Sequence, residues 1–426
     1  MQSRRIDLPT GWVVTTIGEI SDVNKRKQVL RDYPDEMLVS FVPMAAVDAN
    51  QGVIASPQIR QLGEVRKGFT TFSNGDVIIA KITPSMENGK AAIAKNLFNG
   101  IGTGSTEFHV MSPGPNVLTS YLFYYVRQES FRWDAKANFT GTAGQLRVPG
   151  SFIEKYPIPL PPLPDQGRIV ERIESLFTQL DAGVAGLKRL KKVLKRYKAS
   201  VLTAACEGRF DKRNNNHPTE LPIGWVWTTI NELKNHLTTG SRGWAKYYTK
   251  SGSLFIRVGN FNRLSTIIDL GKIVFVTAPQ GAEADRTRLK INDLLITMTA
   301  DVGMVGIVDE RIMRWGDAYI NQHVGLVRLQ EPDYVNFIAY ALASEIGQKQ
   351  FRSKQYGATK VGLNFDDINS LKLPLPPIEE QHRIAADIDQ RLSVVQELNQ
   401  TIEENLKRAA RMRQAILKRS FDGKLV

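Results

Sequence analysis

One long run of helical spacing, from Asp165 to Cys206, constrains this chain more than any other feature. Its apolar members stand three or four residues apart throughout: Ile169, Ile173, Leu176, Leu180, Val184, Leu187, Leu190, Leu194, Tyr197, Val201 and Ala205. That spacing is the period of a helix with one apolar face. At about 1.5 Å per residue the helix would be roughly 60 Å long, so its apolar face needs a partner.

The chain supplies that partner because its sequence contains one unit twice. Leu8–Glu19 recurs as Leu221–Glu232, and Pro159–Leu163 recurs as Pro374–Ile378. A second apolar series follows the second Pro-rich segment: Ile384, Ile388, Leu392, Val395, Leu398, Ile402, Leu406, Ala409, Met412 and Ile416. An internal repeat of this kind decides the architecture before any local feature does.

The repeat predicts four segments. These are a globular domain (1–158), a Pro-rich lead with a long helix (159–210), a second globular domain (211–373) and a second lead and helix (374–426). The short polar linker from Asp211 to Glu220 is too short for a parallel return, so we expect the helices to pair antiparallel. The predicted fold is α+β: two similar α/β-type domains, a long two-helix antiparallel coiled coil, and a pseudo-two-fold repeat that returns the C-terminus to the first domain.

The helix pairing is assigned to the residues that recur along both apolar series: Ile169, Ile173, Leu180, Leu187, Leu194, Val201, Ile384, Ile388, Val395, Ile402, Ala409 and Ile416. Gly183 and Gly186 each cost a helix roughly 1 kcal/mol. They mark a close helix crossing or are simply tolerated.

Short elements within each copy also follow from the pattern. Strands are predicted at 76–83 and 91–94 in the first copy, and at 293–299 and 305–308 in the second. A helix is predicted to follow in each copy, at 118–126 and at 335–342. Each globular part is therefore expected to be a compact mixed domain, with a strand order that the sequence does not give.

Composition favours a polyanionic partner. The formal net charge is +13, and the sequence pI is about 9.6, although a merely basic protein would show the same numbers. No apolar run reaches the length of a membrane span, the polar N-terminus lacks a signal-peptide core, and Cys206 is the single cysteine. These features fit a cytoplasmic protein without a disulfide framework.

Catalytic motifs are missing from the sequence. It has no phosphate-binding Gly-x-x-x-x-Gly-Lys-Ser/Thr loop, and its five histidines lack metal-ligand spacing. Glu232-Leu233-Lys234 has no Pro-Asp upstream in its segment, which argues against a nuclease site. Trp12 and Trp225 occupy equivalent places and are interpreted as core residues.

Several polar loops suit nucleic acid, because amide, hydroxyl and ammonium groups read base edges and phosphates. The candidate DNA contacts are Lys81, Thr83, Ser85, Asn88, Lys90, Ser105, Thr106, Thr142, Gln145, Arg257, Asn260, Thr299, Asp301, Asn321, Gln322, His323, Thr359 and Lys360. The 83–90 loop is expected to be a hairpin tip, and Gly104-Ser105-Thr106 is matched to Asn321-Gln322-His323. Ordinary solvated turns remain the alternative, but different residues at matching places favour recognition of two sequences.

The basic cluster from Lys188 to Lys198 has two interpretations. Cations in the C-terminal half of a helix complement its dipole and often form only a solvated face. The other interpretation is contact with DNA phosphate or an acidic partner.

The two Leu-Pro-x-Gly-Trp starts, the two Pro-rich leads ending in Gln-x-Arg-Ile and the two long helices resemble the specificity subunit of type I restriction–modification systems. The resemblance implies two target-recognition domains that each read half of a split asymmetric site. It also implies helices that set the gap and dock two methyltransferase subunits, with two restriction subunits completing the complex. S-adenosylmethionine, ATP and Mg²⁺ would be used by those partners, with no catalytic, cofactor or metal site here. Gly167 and Pro164 depart from the pattern, since the second copy has His382 and Glu379.

A protein of another class would share these features. A stand-alone two-domain DNA-binding regulator would use the same helices only as a scaffold, and it would bind no methyltransferase subunit. The sequence does not identify the bases that either domain reads.

Overall fold

The computed structural model describes residues 8–24, 30, 32–142, 145–209, 221–263, 265–355 and 362–424. The chain divides into two compact units. Unit 1 comprises residues 1–186 and 404–426, and unit 2 comprises residues 187–403. Each unit therefore includes part of both long helices.

The elements of the first copy are β1 (Val13–Thr16), α1 (Ile17–Ile20), β2 (Ser21–Val23), β3 (Leu38–Val42), β4 (Val47–Asp48), β5 (Val53–Ile54), β6 (Gln58–Gln61), α2 (Leu62–Val65), β7 (Thr70–Ser73), β8 (Val77–Ala80), β9 (Ala91–Ile93), β10 (Ile101–Gly104), β11 (Phe108–Pro113), α3 (Thr119–Val126), α4 (Glu129–Ala137), α5 (Gly150–Lys155), β12 (Pro157–Leu160) and α6 (Leu163–Cys206).

The elements of the second copy are β13 (Val226–Thr229), α7 (Ile230–Leu233), β14 (Lys234–Thr239), β15 (Tyr248–Thr249), β16 (Ser253–Ile256), β17 (Phe275–Val276), α8 (Ala282–Thr287), β18 (Leu294–Thr297), β19 (Val305–Ile307), α9 (Glu310–Met313), β20 (Ala318–Ile320), β21 (Val324–Leu329), α10 (Val335–Ala343), α11 (Glu345–Lys354), α12 (Phe365–Asn369), β22 (Lys372–Leu375) and α13 (Ile378–Phe421).

The predicted short elements are confirmed. Strands β8 and β9 occupy the two predicted places in the first copy, and β18 and β19 occupy those in the second. Helices α3 and α10 follow where helices were expected. Their ends differ from the prediction by a few residues, as is usual for element boundaries.

One four-stranded sheet has the same strand order in both units, and the other shares its parallel pair and one neighbouring strand. Among the described residues, unit 1 has four-stranded sheets in the orders β2-β11-β8-β9 and β6-β3-β10-β7, and unit 2 has β14-β21-β18-β19 and β15-β17-β16-β20. Each second sheet contains one parallel pair, β3 with β10 or β16 with β20. The mixed α/β character and the internal repeat are thus confirmed at the level of topology.

The Pro-rich leads form strands that pair with the Leu-Pro-x-Gly-Trp segments. Strand β12 runs antiparallel to β1, with Val13 opposite Leu160, and β22 pairs with β13 in the same way. The first long helix begins at Leu163 rather than at Asp165. Pro164 therefore lies in the first turn, where a missing N–H breaks no helical hydrogen bond.

A repeated glutamine closes the turn between strand and helix. Gln166 is fully buried, accepts a hydrogen bond from the Leu118 N–H at 2.8 Å and donates to the Pro161 carbonyl at 2.9 Å. Gln381 donates to the Pro376 carbonyl at 2.8 Å in the second copy. In the first copy both ends of the buried amide are hydrogen-bonded, as buried amides generally are, whereas Oε1 of Gln381 has no hydrogen-bond partner among the described residues.

The long helices run antiparallel within each unit, as predicted. In unit 1, the Arg413 guanidinium lies 4.1 Å from the centre of the Phe177 ring, and Arg413 also forms an ion pair with Asp181. In unit 2, Lys191 forms an ion pair with Glu403, and Cys206 shares a buried cluster with Ile388. Residues later in one helix thus meet residues earlier in the other.

The predicted pairing residues are largely buried. Nine are buried and three are half-buried; the buried ones are Ile169, Ile173, Leu194, Val201, Ile384, Ile388, Val395, Ile402 and Ala409, and the half-buried ones are Leu180, Leu187 and Ile416. Most follow a seven-residue spacing, which gives the narrow seam of a coiled coil.

Other members of the apolar series face outward, so the prediction that the whole series is one buried face is wrong. Leu190, Tyr197, Leu398 and Met412 are each more than 40% exposed. A seam with a seven-residue repeat buries only part of a series spaced at three to four residues. A Cβ on Gly183 would meet nothing within 4 Å, so this glycine does not mark a close crossing.

Each long helix ends against the turn that starts a copy. Gly208 and Gly423 follow the last helical turns with φ of 70° and 69°, a conformation that favours glycine. A Cβ on Gly208 would lie 2.2 Å from Cγ of Pro222, and one on Gly423 would lie 2.4 Å from Cγ of Pro9. The second contact confirms that the end of the chain returns to the first domain.

No helix in the described residues combines the length and apolar character that crossing a membrane requires.

Lys198 is a buried cation on α6 in unit 2. Its side chain is 8% exposed, and no hydrogen bond or ion pair joins its ammonium to another described residue. Burial lowers the pKa of this lysine to about 8, because a low-dielectric site disfavours the charged form. The Lys198 charge therefore destabilises the folded chain at neutral pH.

Replacing Lys198 by methionine is expected to raise the free energy of unfolding by about 1–3 kcal/mol at pH 7, because the buried charge is removed. In the original protein, Lys198 loses its proton at a lower pH in the folded state than in the unfolded state. The free energy of unfolding should therefore rise between pH 8 and 10.5, as the cost of the buried charge disappears. The K198M protein should lack that rise. Urea unfolding at several pH values measures both effects. The exposed-site variant K195M is the control, and equal stabilities of K198M and K195M would contradict the account.

Candidate nucleic-acid interface

Two of the predicted loops of unit 1 lie side by side. The Thr83 N–H donates to the Leu146 carbonyl at 3.0 Å, and the Val148 N–H donates to the Lys81 carbonyl at 2.9 Å. These bonds join the segment after β8 to the segment that contains Leu146 and Val148. The side chains of Thr142 and Gln145 are exposed there, while Lys81 and Thr83 are half-buried.

Arg147 brings the segment that contains Ser105 and Thr106 to the same place. Its Nε donates to Oε2 of Glu107 at 2.9 Å, and its Nη2 donates to Oε1 at 2.8 Å. Hydrogen bonding by this guanidinium lowers the pKa of Glu107, so the bidentate pair stays ionised and rigid. Ser105 and Thr106 immediately precede Glu107. We call the resulting set surface 1: Lys81, Thr83, Ser105, Thr106, Thr142 and Gln145.

The 83–90 segment is a compact turn, which corrects the prediction of a protruding hairpin tip. Met86 is fully buried and pulls the segment onto the core. The Lys90 ammonium donates to the Met44 carbonyl at 2.7 Å, and the backbone N–H of Lys90 donates to the Ser85 carbonyl at 3.1 Å. Lys90 and half-buried Ser85 therefore stabilise the turn, whereas the side chain of Asn88 is exposed.

The corresponding place in unit 2 lies where two parallel strands end. Asn321 follows β20, and its N–H donates to the Ile256 carbonyl at 3.0 Å, beside Arg257. In unit 1 the Ser105 N–H makes the same bond to the Val42 carbonyl at 3.2 Å. This shared backbone hydrogen bond makes Ser105 equivalent to Asn321, so the predicted match of Gly104-Ser105-Thr106 with Asn321-Gln322-His323 is displaced by one residue.

His323 connects the remaining candidates of unit 2. Its Nδ1 is hydrogen-bonded to the Thr299 hydroxyl, and its carbonyl accepts from the Met298 N–H at 2.8 Å. The Gln322 amide nitrogen lies 3.3 Å from His323 Nε2. We call this set surface 2: Arg257, Thr299, Asp301, Asn321, Gln322 and His323. Asp301 is included because it lies two residues after Thr299. It forms a 2.5 Å ion pair with Arg263.

Asn260 does not belong to this surface, which corrects its assignment as a DNA contact. It is 3% exposed. Its Oδ1 accepts from the Arg257 N–H at 2.9 Å, and its Nδ2 donates to the Asp269 carbonyl at 2.8 Å. The amide therefore holds a backbone turn together. Thr359 and Lys360 lie outside the described residues.

Sequence reasoning missed Arg147 and Arg263, which position the loops. Arg147 stands 40 residues from Glu107, and Arg263 stands 38 residues from Asp301. No local pattern links partners at such separations. The one sequence signal for these two arginines was that each stands within three residues of a candidate DNA contact, Gln145 or Asn260.

Glu232 is a structural residue, as expected from the missing upstream motif. Its Oε2 accepts from the Thr228 hydroxyl at 2.9 Å and from the Thr229 N–H at 2.8 Å, and both bonds lower its pKa. It caps α7 beside a cleft of about 580 Å³ that is also lined by Trp227 and Ile346. Within the described residues, no group of His, Cys, Asp and Glu is arranged to hold a metal ion.

Two other residues considered from sequence are also structural. His109 is buried, with its ring nitrogens 2.8 Å from Asn24 Nδ2 and from the Val148 carbonyl, and burial lowers its pKa. Trp225 is buried, packs edge-on against Phe337 and donates from Nε1 to Glu380 at 3.0 Å. The interpretation of Trp225 as a core residue is confirmed.

Comparison with known proteins identifies one family. The family model described as "Type I restriction modification DNA specificity domain" matches residues 9–191 and 254–408. The chain is 40% identical to the EcoAI specificity subunit of Escherichia coli over 181 residues, 42% of this chain and 30% of that subunit. The alignment thus spans less than a third of that relative.

Longer matches are more distant. The specificity subunit of EcoKI from E. coli K12 is 23% identical over 98% of this chain and 90% of its own length. A solved structure concerned with complex assembly and conformational transition of the type I R-M system has 23% identity and a TM-score of 0.74. It covers 98% of this chain and 99% of that chain. The fold is therefore shared along the whole chain, and the family model matches both copies of the repeat. This chain belongs to the family of type I restriction–modification DNA specificity subunits.

Proposed function

We propose that this chain is the non-catalytic DNA-recognition subunit of a type I restriction–modification complex. Surface 1 reads one half of a bipartite asymmetric site and surface 2 reads the other half. The long helices set the gap between the half-sites and dock two methyltransferase subunits, and two restriction subunits complete the complex. The net charge of +13 supports binding to a polyanion, because cationic surfaces attract DNA phosphates.

One observation carries this proposal: equivalent backbone positions hold different polar side chains. Ser105 and Asn321 make the same backbone bond, yet they offer a hydroxyl in one unit and an amide in the other. Thr106 and Gln322 follow them with the same difference. An amide can bind adenine at two atoms, whereas a hydroxyl makes one less selective bond. Such a pair of scaffolds suits two unlike half-sites.

The chemistry is assigned to the partners. Methylation of adenine would use S-adenosylmethionine bound by the methyltransferase subunits, and translocation and cleavage would use ATP and Mg²⁺ bound by the restriction subunits. The complex would act in the cytoplasm, where DNA is available.

Replacing Gln145 by alanine is expected to relax selectivity in one half-site only. A lost base contact costs about 1–3 kcal/mol, or roughly 5–150-fold in discrimination at the base concerned. Gln322→Ala should have the same effect on the other half-site. Sequencing of DNA selected from a random library by the chain with its methyltransferase partner measures both.

The matched control is Gln179→Ala, since Gln179 is exposed on α6 and belongs to neither surface. It should leave the selected sequence unchanged. The proposal fails if Gln145→Ala and Gln322→Ala alter the same positions of the site, or if neither alters any position.

The exposed side of the helices in unit 2 supports partner docking. Leu190, Val193 and Tyr197 are 42%, 55% and 43% exposed and recur at helical spacing on α6. Val394 and Leu398 of α13 are also exposed, at 53% and 41%. Clustered exposed apolar side chains mark interaction sites. We assign this face to a methyltransferase subunit.

Val193→Asp is expected to weaken binding of the methyltransferase subunit by at least tenfold, because it places a charge in an apolar contact. The fold should persist, since the side chain of Val193 is largely exposed. Isothermal titration of the partner into the chain measures the change.

The control is Ala199→Asp, which adds the same charge to the same helix. Ala199 is exposed, and the helical period places it on a different side of α6 from Val193 and Tyr197. This variant should bind the partner as the original protein does. Equal affinities of the two variants would argue against the docking face.

A further inference from the structure

A small cavity in unit 1 is lined by three arginines. Its volume is about 40 Å³, and its lining includes Arg127, Arg132 and Arg413 but no acidic residue. Arg127 follows α3, Arg132 lies on α4, and Arg413 lies on α13. The volume is close to that of one water molecule or one small ion, so the cavity has room for at most a single phosphate group.

Two of the three guanidiniums are held rigidly. Arg127 donates from Nη2 to the Ala49 and Asn50 carbonyls, at 2.8 Å each, and its guanidinium lies 5.1 Å from the Phe123 ring centre. Arg413 stacks on Phe177 and pairs with Asp181, a carboxylate that is 62% exposed. Preorganised guanidiniums lose little freedom when they bind an anion.

Arg132 has a donor without a partner. Its Nη1 donates to the Glu87 carbonyl at 3.1 Å. Its Nε is buried and makes no hydrogen bond with the described residues. A buried donor without an acceptor is unfavourable, and a guanidinium can donate to an oxyanion.

The lining of the cavity is positively charged and includes no negative side chain. Burial, together with repulsion from Arg413 and Arg132, lowers the pKa of Arg127 to about 10. Three like charges around a space with no acidic lining destabilise one another. A bound anion would remove that repulsion.

The second copy shows that the fold does not require these arginines. Gln128 and Ser344 are the equivalent residues that precede α4 and α11, so Ala343 and Gln348 stand where the first copy has Arg127 and Arg132. Gln348 donates to the Gly303 carbonyl at 2.8 Å, which replaces the bond from Arg132 to Glu87. By the repeat, Lys198 corresponds to Arg413. The arginine set therefore belongs to unit 1 alone among the described residues.

We propose that unit 1 binds one phosphate-class oxyanion between Arg127, Arg132 and Arg413. The forked guanidinium matches the oxygens of phosphate. Two sources offer this chemistry: free inorganic phosphate, or a backbone phosphate of DNA bound at surface 1. The cavity is also lined by Asn88 and Gly89, which follow Thr83 of that surface. The proposal that DNA supplies the phosphate rests on the proposed function, whereas binding of free inorganic phosphate does not.

The test uses the double variant R132Q/R413K of the full chain, which installs the residues of the second copy. The melting temperature is measured in chloride and in inorganic phosphate at equal ionic strength. At phosphate concentrations several times Kd, the original protein should gain roughly 2–4 °C over its value in chloride. The double variant should lose this gain.

The control is R168Q/R383K, which makes the same substitutions at exposed arginines on α6 and α13, outside the lining of the cavity. It should keep the phosphate gain. Each protein is compared with itself in chloride, so lower stability of a variant does not affect the comparison. Any general effect of phosphate on stability appears in all three proteins and cancels.

A second measurement identifies the source. The slope of log K for DNA binding against log salt is compared between the original protein and R132Q/R413K. A DNA phosphate at this site predicts a slope smaller by about 0.9 in the variant, whereas free phosphate predicts equal slopes. If the original protein gains stability with phosphate but binds no DNA, the site stands and the proposed function fails. Equal phosphate gains in all three proteins, with equal DNA slopes, would overturn the site.

Discussion

The core of unit 1 depends on the packing of Phe421 against Tyr121 and Tyr125. The ring centroids are 5.0 and 5.1 Å apart, and Phe421 is the last residue of the second long helix. In unit 2 the equivalent residue, Cys206, ends the first long helix and is fully buried in the core. Each unit is thus completed by a helix end that belongs to the other sequence copy. Aromatic and aliphatic burial of this kind is the main stabilising contribution to a core.

Because each core is completed by a helix end from the other copy, the two copies share one scaffold. The loops on that scaffold can differ between the copies. The strands, the glutamine turns at Gln166 and Gln381 and the helix seam are common to both copies. Surfaces 1 and 2 lie on segments that follow those strands, and their side chains differ. Rigid elements that carry variable loops are the usual basis of specific recognition. The arginine set of unit 1 is a further difference built on the same scaffold.

The sequence predicted what depends on local periodicity. Spacing gave the long helices, strands β8, β9, β18 and β19, and the antiparallel pairing through the repeat. It did not show that Leu190 and Tyr197 face outward, because the same spacing fits a broad face or a narrow seam. It also assigned Lys90 and Asn260 to DNA, although both bind backbone carbonyls. The Met44 partner of Lys90 and the Glu107 partner of Arg147 are distant in sequence. Asn260 holds a local turn through Arg257 and Asp269, and composition carries no information about either kind of contact.

The central claim is that the two units read two different halves of one split DNA site. Sequencing of methylated adenines in cells that carry this chain and its methyltransferase partner tests it most directly. The account predicts one asymmetric motif, in which two unlike specified segments are separated by a gap of fixed length and unspecified sequence. A continuous motif, two identical half-sites, or methylation that persists without this chain would contradict it.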